Sequence, residues 1–236
     1  MRSNHWKLNV IVPLIFILFS SASLATAAKY TEANLLIDSS HRTLQQFISD
    51  PNMQVIKDLS KRARGIIIIP QMMRGGLIVG GTGGHGILLA RDLKTDHWHG
   101  PAFYSIGSLT FGLQVGGEVS QIVMFVMTDK GLNSMMSSSF RLGADVTMAA
   151  GPIGGGAKAT TTDIVAYSRS KGAFGGFTVE GGIMQTLDSW NISYYESEAA
   201  SSHEILISHT VSNTFGDEII KTITEISTPT TQKVQY

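Results

Sequence analysis

The sequence predicts an α+β fold, with N-terminal amphipathic helices packed on a strongly curved, barrel-like antiparallel β-sheet. Three observations carry that prediction. The apolar period is helical as far as Ala63 and changes to two from Gly65 to Leu187. The runs Ile66–Ile69 and Ile122–Met127 are continuously apolar, as in strands buried on both faces. Glycine pairs recur at Gly75-Gly76, Gly80-Gly81, Gly116-Gly117, Gly175-Gly176 and Gly181-Gly182. Such pairs mark tight turns, bulges or close backbone approaches, and they permit strong curvature.

Taken in order, Tyr30 to Ser49 reads as a helix, because Ala33, Leu36, Ile37, Leu44, Phe47 and Ile48 recur at three- and four-residue steps. Asp50-Pro51 restarts the pattern, with Asp as cap and Pro at the first helical position. Val55, Ile56, Leu59 and Ala63 then line one face of a second helix, whose polar side carries Lys57, Lys61, Arg62 and Arg64. Next comes Gly65–Asp92, read as two buried strands joined by a turn at Met72-Met73, with Arg74 at its rim. The alternating segments Leu109–Val115 and Phe140–Met148 each predict a half-buried strand. Thr128–Met136 predicts a short capped helix, and Ser202–Leu206 one further helical turn. Beyond Gly216, Thr, Ser and Lys dominate, and the reading is a weakly ordered tail.

The N-terminus combines basic Arg2 and Lys7, the apolar run Val10–Phe19 broken by Pro13, and a small-residue site at Ala25-Thr26-Ala27. That pattern predicts a cleaved secretory signal peptide, with cleavage after Ala27 or Ala28. The expected organisation is a signal peptide over 1–28, one domain over 29–209 and a tail over 210–236. The expected location is periplasmic or secreted. With 18 basic and 18 acidic residues, loss of Arg2 and Lys7 leaves a slightly negative chain, which excludes nucleic acid as the main partner. The absence of cysteine excludes disulfides, thiolate zinc sites and thiol nucleophiles.

Gly81-Thr82-Gly83-Gly84-His85-Gly86 satisfies G-x-G-x-x-G, but it leads into Ile87-Leu88-Leu89, a strand pattern. Dinucleotide binding needs a helix there, so the glycines read as structural. His97-Trp98-His99 places two imidazoles at strand spacing, with His85 as a third in space; the competing reading is a polar hairpin tip beside Pro101. Asp145, Asp163 and Glu180 have no evident acid–base partner and read as hydrogen-bonded polar positions. Neither G-x-S-x-G nor H-E-x-x-H occurs. No catalytic residue, metal ligand or cofactor is assigned.

The segments Gly65-Ile-Ile-Ile-Ile-Pro70, Gly75-Gly-Leu-Ile-Val-Gly-Gly81, Gly84-His-Gly86, Leu142-Gly-Ala-Asp145 with Ala150-Gly-Pro152, Tyr167-Ser-Arg-Ser-Lys-Gly172 and Glu180-Gly-Gly182 occur in this order. Together they resemble the SYLF lipid-binding domain family, from about Leu35 to Leu206. The resemblance implies binding to membrane lipids, with phosphoinositides as ligands and actin filaments as partners of some eukaryotic members. Bacterial members look like exported, lipid-associated proteins. One departure is Glu196, which follows Tyr194-Tyr195 where the family commonly has glycine.

The residues themselves point the same way. A Lys or Arg near an anionic bilayer contributes about 1 kcal/mol. Lys61, Arg62, Arg64 and Arg74 therefore give at most about 4 kcal/mol, roughly millimolar affinity. Charge alone cannot hold the chain on a membrane, so an apolar contribution is needed, and Met72 and Met73 are its candidates. The expected function is non-catalytic binding of anionic membrane lipid at the cell envelope through these six residues. Actin is not expected as the partner of an exported copy. The alternatives are a small outer-membrane β-barrel, a structural envelope protein, and a metal-dependent hydrolase centred on His85, His97 and His99.

Overall fold

The apolar spacing read from the sequence closes into helix α1 (Glu32–Ser49), whose buried side includes Leu36, Ile37, Leu44 and Phe47. Helix α2 (Gln54–Ser60) follows and buries Ile56 and Leu59. The computed structural model describes residues 31–51, 54–76, 79–111, 116–150, 162–170, 173–176 and 181–228. The predicted signal peptide, the end of the Leu109–Val115 strand and Glu180 lie outside them. From Ala33 onward the described residues belong to one compact unit.

Among the described residues nine strands form one sheet: β1 (Gly65–Gly76), β2 (Val79–Arg91), β3 (Trp98–Phe111), β4 (Gly116–Val126), β5 (Ser139–Arg141), β6 (Met148–Ala150), β7 (Ile164–Ser170), β8 (Ala173–Gly176) and β9 (Ile183–Thr186). Their order is β5-β9-β3-β2-β1-β4-β7-β6, with β8 on β7. Every pairing is antiparallel except β6 with β7. The α+β reading stands. So does the double burial of the apolar runs, since Ile66–Ile69 and Ile122–Val126 are fully enclosed.

Three expectations are corrected. Met72-Met73 is not a turn: β1 runs through both methionines as far as Gly76. Pro70 sits inside the strand, where both ladders slip register, between Ile68 and Gln71 towards β2 and between Ile69 and Met72 towards β4. A bulge is where a central strand tolerates proline's missing N–H. There Gly84 and Gly86 are sterically required, since a Cβ would stand 2.5 Å from Gln71 O and 2.8 Å from Ile68 O.

Second, Phe140–Met148 is not one strand. Gly143, at φ +88°, turns the chain between β5 and β6, and Asp145 Oδ2 accepts from the Arg141 amide at 2.6 Å. Third, the described part of the segment beyond Gly216 is not a tail: Asp217–Ser227 forms helix α5 and buries Ile219 and Ile223, while residues 229–236 of the expected tail lie outside the described residues. Trp98 Nε1 donates to Ser227 Oγ at 2.9 Å and ties that helix to β3. The Thr- and Ser-rich composition hid a simple four-residue isoleucine step.

The predicted short helix is present as α3 (Asp129–Ser134), with Thr128 Oγ1 accepting the Gly131 amide at 3.0 Å. Ser202–Leu206 leads into a π-helical turn, Glu204–Ser208. Helix α4 (Asp188–Tyr195) covers the edge of β3 that β9 leaves open. Asn191 Oδ1 accepts from the Phe103 amide, the Leu187 amide donates to Phe103 O, and the Tyr195 hydroxyl donates to Pro101 O.

The departure at Glu196 also finds its geometry. This residue ends α4 in the left-handed conformation, φ +52°, which favours glycine. Glu196→Gly is expected to stabilise the fold by about 1 kcal/mol. Thermal denaturation should then show a midpoint about 2–4 °C higher. An unchanged midpoint would mean that Glu196 recovers the strain through its own contacts.

Candidate functional site

Strand register defines a surface that the one-dimensional sequence conceals. Residues directly opposite one another point to the same face. Across the sheet, Val119 of β4 lies opposite Met73 of β1, Met73 opposite Gly83 of β2, Gly83 opposite Gly107 of β3, Gly107 opposite Ile183 of β9, and Ile183 opposite Arg141 of β5. The next row on that face holds Gly117, Gly75, Gly81 and Leu109. Met73, Val119, Ile183 and Leu109 are 60%, 56%, 40% and 77% exposed. The result is a strip of bare backbone bordered by aliphatic side chains.

These glycines differ from those at the bulge. A Cβ on Gly81, Gly83, Gly107 or Gly117 would meet only a neighbouring strand's carbonyl, at 3.7–3.9 Å, and one on Gly75 would meet nothing within 4 Å. No steric demand keeps side chains off this strip. Glycine weakens a strand by roughly 0.5–1 kcal/mol relative to alanine, so the bare face costs stability. A groove of about 930 Å³ opens over part of it, lined by Gly81, Gly107, Leu109, Arg141, Ile183 and Gln185 among others. Two residues beyond Gly83 along β2, the exposed His85 ring lies 5.2 Å from Trp190 of α4.

The six residues singled out in the sequence do not form one site. Met72 is 1% exposed and belongs to the core, whereas Met73 faces outward. Arg74 points to the face opposite Met73, between Thr82 and Glu118 in register. Arg64 lies ten residues before Arg74, roughly 30 Å away along β1. There Arg64 Nε pairs with Asp129 at 3.2 Å, Lys61 pairs with Asp58 at 3.3 Å, and Arg62 is exposed. The basic cluster and the outward methionine therefore occupy opposite ends of the strand. Val119, Leu109, Ile183 and Arg141 were missed, and the only local signal for this face was the alternation Gly81-x-Gly83.

Gly81–Gly86 runs through the middle of β2, a strand rather than a turn; Gly84 and Gly86 serve the bulge, whereas Gly81 and Gly83 belong to the bare strip. The histidine expectation changes as well. His85 packs on Trp190, and the exposed His97 stands outside the histidine cluster that the fold assembles. His99 instead stacks on His209, with ring centroids 3.4 Å apart and planes inclined by 14°. Asp92 completes a group whose donor atoms all lie within 4.8 Å of one another. Burial first, then the nearby His209, pushes the His99 pKa down and favours its uncharged form. The Lys94 amide, at 2.8 Å, and the Thr95 hydroxyl, at 2.9 Å, hold the Asp92 carboxyl below the usual range.

Asp163 is buried and accepts from the Thr128 hydroxyl at 2.6 Å and from the Thr147 amide and hydroxyl at 2.9 Å each. Burial alone would raise its pKa. Those hydrogen bonds and Lys130, 3.5 Å away, outweigh burial and bring it to about 2. Asp163 is thus a hydrogen-bonded junction between α3, β6 and β7. Asp145 likewise serves the turn after β5.

The family described as Ysc84, Las17-binding protein actin regulator, matches residues 107–226. LAS seventeen-binding protein 3 of Saccharomyces cerevisiae is 32% identical over 146 residues, covering 58% of this chain and 31% of that protein. Protein YSC84 of the same organism is 30% identical over 149 residues, or 60% of this chain and 31% of the relative. The human SH3 domain-containing YSC84-like protein 1 is 29% identical over 140 residues, 57% and 40% of the two chains. The chain thus spans less than half the length of these relatives, the first of which is named for binding LAS seventeen. The family match covers half of the chain, with the motifs from Leu142 to Gly182 inside it, and the chain belongs to the Ysc84 family of SYLF-domain proteins.

Proposed function

We propose that the chain is a non-catalytic lipid- and membrane-surface-binding protein of the cell envelope, exported by its N-terminal segment. The observation that carries this reading is the exposed row from Val119 through Met73, Gly83 and Gly107 to Ile183, with Arg141 beside it. Flat backbone lets an acyl surface approach closely, while the aliphatic rim enters it and Arg141 meets phosphate.

The magnitudes favour this face over the basic cluster. Burying the exposed parts of Met73, Leu109, Val119 and Ile183 is worth about 5 kcal/mol together. Arg141 adds about 1 kcal/mol near an anionic surface. The sum corresponds to tens of micromolar, a reversible peripheral attachment. Charge at Lys61, Arg62 and Arg64 alone gives no better than millimolar binding, and Asp58 and Asp129 already oppose two of those charges.

Flotation of the purified chain with phosphatidylcholine–phosphatidylglycerol vesicles tests the proposal. Co-flotation at low salt is expected, with Lys61→Ala/Arg62→Ala/Arg64→Ala retaining binding within about threefold, since those screened charges supply little of the total. A chain that stays with the dense fraction at low salt removes the lipid reading. Loss of flotation in the triple variant moves the contact to the α2 end of β1. A second reading is favoured by the family description, which refers to Las17 binding and actin regulation, and by a relative named for binding LAS seventeen: a protein partner docked on the same face. Failure on vesicles, with retained association to an envelope protein that Met73→Asp disrupts, would select it.

A further inference from the structure

The geometry points to a divalent transition-metal site at Asp92, His99 and His209, independent of the proposed lipid face. The three residues come from separate places in the fold. Asp92 follows the end of β2, His99 is the second residue of β3, and His209 terminates the π-helical turn Glu204–Ser208. Two imidazoles and one carboxylate are a ligand set for borderline ions such as Zn²⁺ and Co²⁺ rather than for Mg²⁺ or Ca²⁺, which prefer oxygen.

Outer hydrogen bonds fit a ligand role. His209 caps the π-helical turn in the left-handed conformation, φ +56°. Its Nε2 lies 3.1 Å from Leu206 O. A carbonyl can only accept, so Nε2 is the donor, and a metal would take the lone pair of Nδ1. This is the arrangement in which an outer hydrogen bond orients a metal-binding histidine. Asp92 is oriented comparably by the Lys94 amide and the Thr95 hydroxyl.

The present stacking of His99 on His209 keeps their ring planes nearly parallel. Lone pairs in parallel planes do not converge, so binding requires the rings to splay about their shared edge. Donor atoms around tetrahedral Zn²⁺ stand about 3.3 Å apart, as its 2.0–2.1 Å bonds dictate. Contraction from the present spacing of up to 4.8 Å is within reach of side-chain torsions. Three protein donors leave a position for water or an exogenous ligand. A bound ion would fasten the β2–β3 connection to the segment leading towards α5.

The test is titration of the purified full chain, without a polyhistidine tag, with Co²⁺ followed by Zn²⁺. One equivalent of Co²⁺ should give visible d–d absorption, which Zn²⁺ abolishes. Excess Zn²⁺ at about 100 times Kd should raise the thermal midpoint by roughly 5–10 °C. His99→Gln and His209→Asn should each weaken binding by more than about 100-fold, because even outer-shell partners contribute 10–100-fold. Asn tolerates the left-handed backbone at 209, so this variant remains informative if His99→Gln fails to fold. His85→Gln/His97→Gln should bind as wild type. Absence of saturable binding at millimolar Co²⁺ and Zn²⁺ would overturn the assignment, as would binding that His209→Asn leaves unchanged or that His85→Gln/His97→Gln abolishes.

Discussion

Replacing Met73 and Ile183 together by aspartate is expected to weaken vesicle binding by at least about 100-fold while leaving the folded chain intact. Both side chains face outward on the glycine strip, and exposed substitutions of this kind usually change stability by less than about 0.5 kcal/mol. Each loses about 1 kcal/mol of apolar burial against the membrane. Each also adds a negative charge near an anionic surface, worth about 1 kcal/mol of repulsion. The total of about 4 kcal/mol exceeds two factors of ten in affinity. Gly83→Thr/Gly107→Thr supplies the complementary experiment. Their Cβ atoms would meet nothing closer than 3.7 Å, and a β-branched residue suits a strand, so urea stability should hold or rise. Binding should nevertheless fall, because the flat floor is gone. Undiminished flotation of Met73→Asp/Ile183→Asp would place the contact elsewhere.

The second large effect concerns the fold. Asp163→Ala is expected to cost about 2–4 kcal/mol, because it leaves the Thr128 hydroxyl and the Thr147 amide and hydroxyl without their acceptor in a buried corner. The same residue predicts an acid transition. Its folded pKa of about 2 lies below the ordinary value of 3.8, so its contribution is complete above about pH 5 and is lost as pH falls through 4 towards 2. At about 1.4 kcal/mol per unit, the loss approaches 2 kcal/mol. Urea unfolding at pH 7, 4 and 2.5 should show that decline in the wild type, and Asp163→Asn should flatten it. A parallel decline in both would assign the acid sensitivity to other carboxyls.

Local pattern made the architecture readable, whereas the candidate site depends on register. Helix α1 and the doubly buried stretches Ile66–Ile69 and Ile122–Val126 follow from spacing alone, since burial on one or both faces leaves a direct periodic trace. The run of β1 through Pro70 and both methionines to Gly76 left no such trace, because only a register slip in both ladders accommodates the proline. Asp145 and Gly143 were apparent polar positions in an alternating strand and instead build a turn.

The site was harder to read for a related reason. Val119, Met73 and Ile183 share a row only through pairings of β4 with β1, β1 with β2, β2 with β3 and β3 with β9. No short window contains that information. The basic residues drew attention because they are contiguous in sequence, yet β1 carries Arg64 and Arg74 to opposite ends. His209 lies far along the chain from His99, so only the folded path from β3 to the π-helical turn brings their rings together.

The perimeter of the sheet restricts how this protein meets anything else. Its terminal strands β5 and β6 are three residues long, and side chains and backbone from α4 already occupy hydrogen-bonding positions on the flank of β3. Among the described residues, the outer ladders are too short to template a long incoming strand. Crowding many copies on one surface should therefore not propagate into intermolecular sheet. On the proposed reading, recognition falls to the broad side of the sheet, where contacts can form and dissolve without altering the fold.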